Sequence, residues 1–191
     1  MGHRRTLAES IRDAHDALGA FLDNAANLDR LETVADAMAD SLRSGGKLLA
    51  VGNGGSCCDA MHFCEELTGR FRDEREPLAA IACTDPGHLT CVANDYGYDA
   101  VFERWVRALG KAGDAIVLLS TSGNSTNIVR ASEAAGELGI TRVALLGKTG
   151  GALAGACEHE WIVPGATADR IQEIHMLILH TLIEGIEARL A

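Results

Sequence analysis

Five short apolar runs constrain this chain more than any other feature: KLLAV (47–51), LAAIA (78–82), AIVLL (115–119), RVALL (142–146) and EWIV (160–163). Each is too short for an independent helix and continuous enough for a strand covered on both faces. Stretches of helical spacing lie between and after them, over 56–68, 99–109, 125–138, 150–156 and 168–190. Such a βαβ alternation predicts an α/β fold, a parallel sheet with helices on both sides. Two further helices are expected ahead of it, over 6–22 and 27–43, the second closed by Gly45-Gly46.

The last helix carries Ile171, Ile174, Leu177, Ile178, Leu182, Ile183 and Ile186. With the two leading helices, it offers more apolar surface than five short strands can cover. The surplus predicts a helical interface between copies of the chain. At 191 residues, with three prolines and no repeat or low-complexity run, a single domain over 1–191 is expected.

A net charge of −10 argues against nucleic acid or an anionic membrane as a partner. Local cationic spots can still hold a phosphorylated small molecule. No run approaches ~18 apolar residues. The stretch MGHRRTLAES is not followed by the apolar segment of a secretory signal, so a cytoplasmic protein is expected. The six cysteines (57, 58, 64, 83, 91, 157) include no CxxC pair, which removes zinc-ribbon and thioredoxin-like readings. They are expected to be small buried apolar residues.

GNGGS (52–56) follows one expected strand and opens a helix, where free backbone N–H groups can meet an anion. It is not a dinucleotide fingerprint, because Cys57 stands where the third glycine would fall. A plain tight turn is the competing reading. GKTG (147–150) resembles a P-loop tail, but Arg142 occupies the position of the required first glycine. A loop after a strand is expected there, and no nucleotide cofactor. STSGNST (120–126) places five hydroxyl residues around one glycine at a helix start, a neutral phosphate cradle or simply an N-cap with its turn.

His62 and Glu66 stand four residues apart, about 40° around a helix and on one face, which suits two metal ligands or an acid/base pair. A solvated structural contact is the plainer alternative. ADRIQEIHMLILH (168–180) sets Asp169, Gln172, His175 and His180 on an otherwise apolar helix, where polar groups need partners or a function. Gln172 and His180 are about 80° apart and roughly 12 Å along the axis, so one helix copy would not easily give both to one ion.

Together, GNGGS, DAMHFCEELTGR, VANDYG, STSGNS and RIQEIHMLILH resemble the sugar-isomerase (SIS) domain family, and within it the bacterial isomerases of sedoheptulose 7-phosphate. The resemblance covers nearly the whole chain. It implies a flavodoxin-like three-layer αβα domain with a five-stranded parallel sheet. Residues 1–44 would be extra helices used in oligomerisation, ahead of an α/β core over 45–191. It also implies a homotetramer with sites shared between subunits, and conversion of sedoheptulose 7-phosphate to D-glycero-D-manno-heptose 7-phosphate.

Carried over by position, Ser120, Thr121, Ser122 and Ser125 would hold the phosphate, and Asn53, Gly54, Gly55, Asn94 and Asp95 would line the sugar. Glu66 and His180 would be the acid/base pair, with Asp169 a polar assistant. A zinc ion would fall to His62, Glu66, Gln172 and His180. The chain departs from the pattern at Cys57, where many relatives have His and others Ala, so Cys57 is not expected to be an essential ligand. Two other readings share the scaffold: a non-catalytic SIS protein of the type that associates with the replication initiator, and an isomerase of another sugar phosphate. Retention of both Glu66 and His180 favours the enzyme.

Overall fold

The structure is a computed structural model describing residues 6–191; residues 1–5, the basic start of MGHRRTLAES, lie outside it. The first helix, α1 (Leu7–Leu22), opens on a capping box: Glu9 N–H donates to Thr6 Oγ1, and Thr6 N–H donates back to the Glu9 carboxylate. Helix α2 (Ala25–Arg43) follows.

The five apolar runs then form the five strands: β1 (Leu48–Gly52), β2 (Ala80–Ala82), β3 (Ala115–Ser120), β4 (Thr141–Gly147) and β5 (His159–Val163). All pair in parallel, in the order β2-β1-β3-β4-β5. This is a flavodoxin-like order, with the direction of winding reversing at β1. Helices α3 (Gly55–Thr68), α4 (Pro86–Tyr96), α5 (Val101–Leu109), α6 (Thr126–Glu137) and α7 (Ala168–Leu190) connect and close the sheet.

The two sheet faces bury separate cores, as the continuous apolar strands require. Leu48, Ala50, Val117, Leu119 and Leu145 point to the layer of α1, α2, α3 and α7, packing against Met38, Phe63 and Ile178. Leu49, Val51, Ile116, Leu118 and Leu146 point the other way, toward Val92 of α4, Trp105 of α5 and Ile128 of α6. At the amino edge, the fully buried Asp114 accepts from Lys47 Nζ at 2.6 Å, Lys47 N at 3.0 Å and Lys111 N at 2.9 Å. That carboxylate ties the starts of β1 and β3 together.

Three expectations change. The stretch 150–156 is only one 3₁₀ turn, Gly151–Leu153, because Gly150, Gly151 and Gly155 all take positive φ. Helix α4 is additional; its sequence signal was Asp85-Pro86, an N-cap whose carboxylate accepts from His88 N–H at 2.6 Å, with Pro at the first position. With only Val92 buried, it has almost no apolar face to announce it. The apolar face of α7 is not left over: Ile171, Ile174, Ile178, Leu182, Ile183 and Ile186 are buried within the chain, in one core with Val34, Ala35 and Met38 of α2. The most exposed large apolar residues are instead Leu7 and Ile11 of α1, and Tyr96, Tyr98, Leu22, Met61 and, on α7, Leu177 are exposed as well.

Candidate active site

The reversal at β1 sets the carboxyl ends of β1 and β3 side by side, with Gly52 opposite Leu119. Open α/β sheets bind ligands at such a switch point. GNGGS and STSGNST therefore become neighbouring loops. Gly54 takes a positive φ of 56°, and α3 starts at Gly55 without a side-chain cap. Ser125 is the N-cap of α6, and its side chain also leaves that helix uncapped. Two helix starts thus present N–H groups to an anion.

Within the second loop, Gly123 N–H donates to Ser120 Oγ at 3.1 Å, Asn124 N–H donates to Ser122 Oγ at 3.2 Å, and Ser120 Oγ–H reaches Ser125 Oγ at 3.4 Å. Thr121 is half-buried beside them. Gly123 is required: at φ 65°, a Cβ there would stand 1.8 Å from the Gly150 carbonyl oxygen. GKTG is accordingly the loop after β4 packed against this cradle, with Lys148 and Thr149 exposed.

Asn53 joins the two loops. Its Nδ2–H donates to Asn127 Oδ1 and its Oδ1 accepts from Asn127 Nδ2–H, both at 2.9 Å. The Tyr98 hydroxyl donates to the same Asn53 Oδ1 at 2.9 Å. Neither Asn127 nor Tyr98 was expected here, since a hydrogen bond between distant elements leaves no spacing in the sequence.

Helices α3 and α7 pack side by side and run the same way. At their starts, Gln172 Nε2–H donates to Ser56 Oγ at 3.3 Å. The Gln172 amide lies so close that a Cβ on Gly55 would meet it at 2.6 Å. Two turns further on, His62 Nε2 lies 3.1 Å from Glu66 Oε1 and His180 Nε2 lies 3.5 Å from Glu66 Oε2. The two imidazoles meet edge to face at 5.2 Å between ring centroids, and Phe71 stacks on His180 at 5.7 Å. Nitrogen and oxygen ligand atoms from these three residues all lie within 4.8 Å of one another. Glu66 Oε2 is buried without a hydrogen-bond partner among the described residues. Its position is held from behind by Arg75, whose Nη2–H donates to the Glu66 carbonyl at 2.7 Å.

Asp59, one turn before His62, is also drawn in: burial pushes its carboxyl up to about 6, with His62 pulling the other way, and its Oδ2 has no hydrogen-bond partner among the described residues. His175, between Gln172 and His180, is fully buried and donates from Nε2 to the Leu146 carbonyl at 3.0 Å. Burial pushes its pKa down to about 4. Its polar atom thus has a structural partner, one of the two outcomes expected for a polar group on this helix.

The expected residues Asn94, Asp95 and Asp169 are all exposed. Asn94 and Asp95 are exposed at the end of α4, where Asn94 Nδ2–H donates to Asp95 Oδ1 at 2.7 Å, just ahead of Tyr98. Asp169 is exposed in the first turn of α7, its carboxyl held low by a hydrogen bond from Thr167 and by neighbouring Arg170. The cysteines divide: Cys64 and Cys83 are buried, with thiols pushed up to about 12 by burial, whereas Cys58 and Cys91 are exposed, contrary to expectation.

Comparison with known proteins agrees with this architecture. The SIS domain family model matches residues 11–147. The phosphoheptose isomerase of Fusobacterium nucleatum is 50% identical over 95% of this chain and 93% of its own length. That of Vibrio parahaemolyticus is 51% identical over 95% of each chain. The solved structure of phosphoheptose isomerase GmhA from Neisseria gonorrhoeae superposes with a TM-score of 0.87 at 39% identity, covering 94% of this chain and 97% of its own. The switch-point loops, the paired helices and these alignments agree: the chain belongs to the SIS domain family, in its phosphoheptose isomerase branch.

Proposed function

We propose that the protein is an aldose–ketose isomerase that converts sedoheptulose 7-phosphate to D-glycero-D-manno-heptose 7-phosphate in heptose biosynthesis for cell-surface carbohydrate. The observation that carries the chemistry is the His62–Glu66–His180 group, gathered from two helices beside two uncapped helix starts. The reaction moves a proton between adjacent carbons through an ene-diolate, which needs a base at carbon and an acid at oxygen. Glu66 is the base, taking the proton from C1 and returning it to C2. His180 protonates the carbonyl oxygen at C2 and accepts the hydroxyl proton at C1. Ser120, Thr121, Ser122 and Ser125 with the α6 start hold the phosphate. Asn53, Gly54, Gly55, Asn94 and Asp95 line the sugar, with Asp169 and Gln172 as further polar contacts.

The same group fits a divalent metal. Its donors are two imidazole nitrogens and a carboxylate, a set that zinc accepts, and the buried Glu66 Oε2, with His180 Nε2 3.5 Å away but no hydrogen bond among the described residues, is an oxygen suited to a cation. His62, Glu66 and His180 would hold the ion, with Gln172 as the fourth ligand. Because Gln172 sits two turns earlier on α7, that fourth contact favours a site shared between subunits. Bound zinc would polarise the sugar carbonyl and stabilise negative charge on its oxygen. A homotetramer is supported by the apolar residues left exposed on α1, α3 and α7. A phosphorylated metabolic intermediate fits a cytoplasmic enzyme.

The test is turnover of sedoheptulose 7-phosphate by the purified protein and by Glu66→Gln, which keeps the shape and removes the base. The variant should bind the sugar and lose about 10²- to 10⁴-fold in kcat. Full turnover by the variant refutes the role of Glu66, and a clear preference of the wild type for fructose 6-phosphate overturns the substrate assignment.

A further inference from the structure

We infer that Tyr98 and Asn127 are positioning residues that lock the Asn53 side chain so that it offers the substrate a single hydrogen-bond donor. The inference rests on the isomerase reading and goes beyond it, to how the sugar-facing turn is made specific.

The argument is a count of hydrogen-bonding capacity. An asparagine amide has two donor hydrogens and an oxygen with two lone pairs. Asn53 Oδ1 accepts from Asn127 Nδ2–H and from the Tyr98 hydroxyl, each at 2.9 Å, so both lone pairs are engaged. One Nδ2 hydrogen is given to Asn127 Oδ1, also at 2.9 Å. A single N–H remains. Asn53 is half-buried at the carboxyl end of β1, in the turn that opens α3, so this N–H belongs to the rim of the site.

The two holding residues differ in kind. Asn127 is 3% exposed on the first turn of α6, directly after the Ser120–Ser125 cradle, and couples the sugar turn to the phosphate loop. Tyr98 reaches in from beyond α4 and is 55% exposed, so nothing about packing requires its hydroxyl. Among the described residues, its hydroxyl bonds to Asn53 alone. With its oxygen saturated, the Asn53 side chain recognises an acceptor on the ligand, a hydroxyl or carbonyl oxygen of the sugar, and itself offers nothing to a group that can only donate. The chemical preference of this turn is therefore set by residues that need not touch the sugar themselves.

A double-mutant cycle tests this, using Tyr98→Phe, Asn53→Ala and the double variant in the full chain, with thermal melts run alongside. Tyr98→Phe removes one exposed oxygen and should leave the melting temperature unchanged. It should raise KM for sedoheptulose 7-phosphate roughly three- to tenfold while kcat changes less than twofold, the signature of a lost contact common to ground and transition states. In the Asn53→Ala background, the same change should have no further effect. Equal effects in both backgrounds, or an unchanged KM in Tyr98→Phe, overturn the inference while leaving the isomerase reading in place. Wild-type protein that neither binds nor converts the sugar overturns both.

Discussion

His175 gives the fold a pH dependence that can be worked out from its surroundings. The ring is fully buried, donates from Nε2 to the Leu146 carbonyl, and leaves Nδ1 buried without a hydrogen-bond partner among the described residues. Charging it would place a cation in an apolar layer, so burial holds its pKa near 4, against 6.5 in the unfolded chain. Between those values the unfolded state binds the proton and the folded state does not. This contribution to stability is therefore complete above pH 6.5 and is lost as pH falls toward 4. The full span is worth about 3 kcal/mol, and the part between pH 7 and pH 5 about 2 kcal/mol. His175→Gln sets an amide nitrogen near the place of Nε2 and cannot titrate. Urea unfolding of both proteins at pH 7 and pH 5 isolates the effect, because every other titrating group, Asp59 with its opposite sign among them, is common to the two. The stability difference between wild type and variant should shift by about 2 kcal/mol against the wild type on going to pH 5. Curves that stay parallel within about 0.5 kcal/mol would show that the ring is already charged in the folded protein or reached by water, and would refute the reasoning.

Two further outcomes follow from burial. Asp114→Ala should cost about 3 kcal/mol in urea unfolding at neutral pH, since it strands Lys47 Nζ and two backbone N–H groups at the joint of β1 and β3. A thiol reagent such as Ellman's should react promptly with the exposed Cys58 and Cys91, while Cys64 and Cys83, whose thiolates are suppressed by burial, should wait for unfolding, as peptide mapping of the labelled sites would reveal.

What the sequence made legible was local, and the reason is physical. The strands announce themselves because a strand covered on both faces must be apolar throughout, and AIVLL and RVALL can hardly be anything else in a short run. His62 and Glu66 are legible as a pair because a helix fixes the relation of residues four apart. Helix α4 escaped because it lies over the sheet with one buried residue, and capping by Asp85 and Pro86 is a quieter signal than an apolar stripe. The partners of Asn53 escaped because hydrogen bonds between β1, α6 and the turn after α4 depend on strand order, and alternation alone does not choose an order.

The arrangement of Gln172 and His180 shows what the fold adds. Eight residues apart on α7, they looked too distant to serve one ion from one helix, and the packing explains the distance instead of removing it. Because α3 and α7 run in the same direction, their starts meet at Ser56 and Gln172 and their middles meet at Glu66 and His180. Gln172 and His180 of α7 therefore lie along one helix–helix seam, with a neutral amide beside the glycine turn and an imidazole–carboxylate group two turns further on. A crossing of the two helices at a steep angle would have brought only one of these levels together. Parallel packing keeps both levels within one chain, about two turns apart.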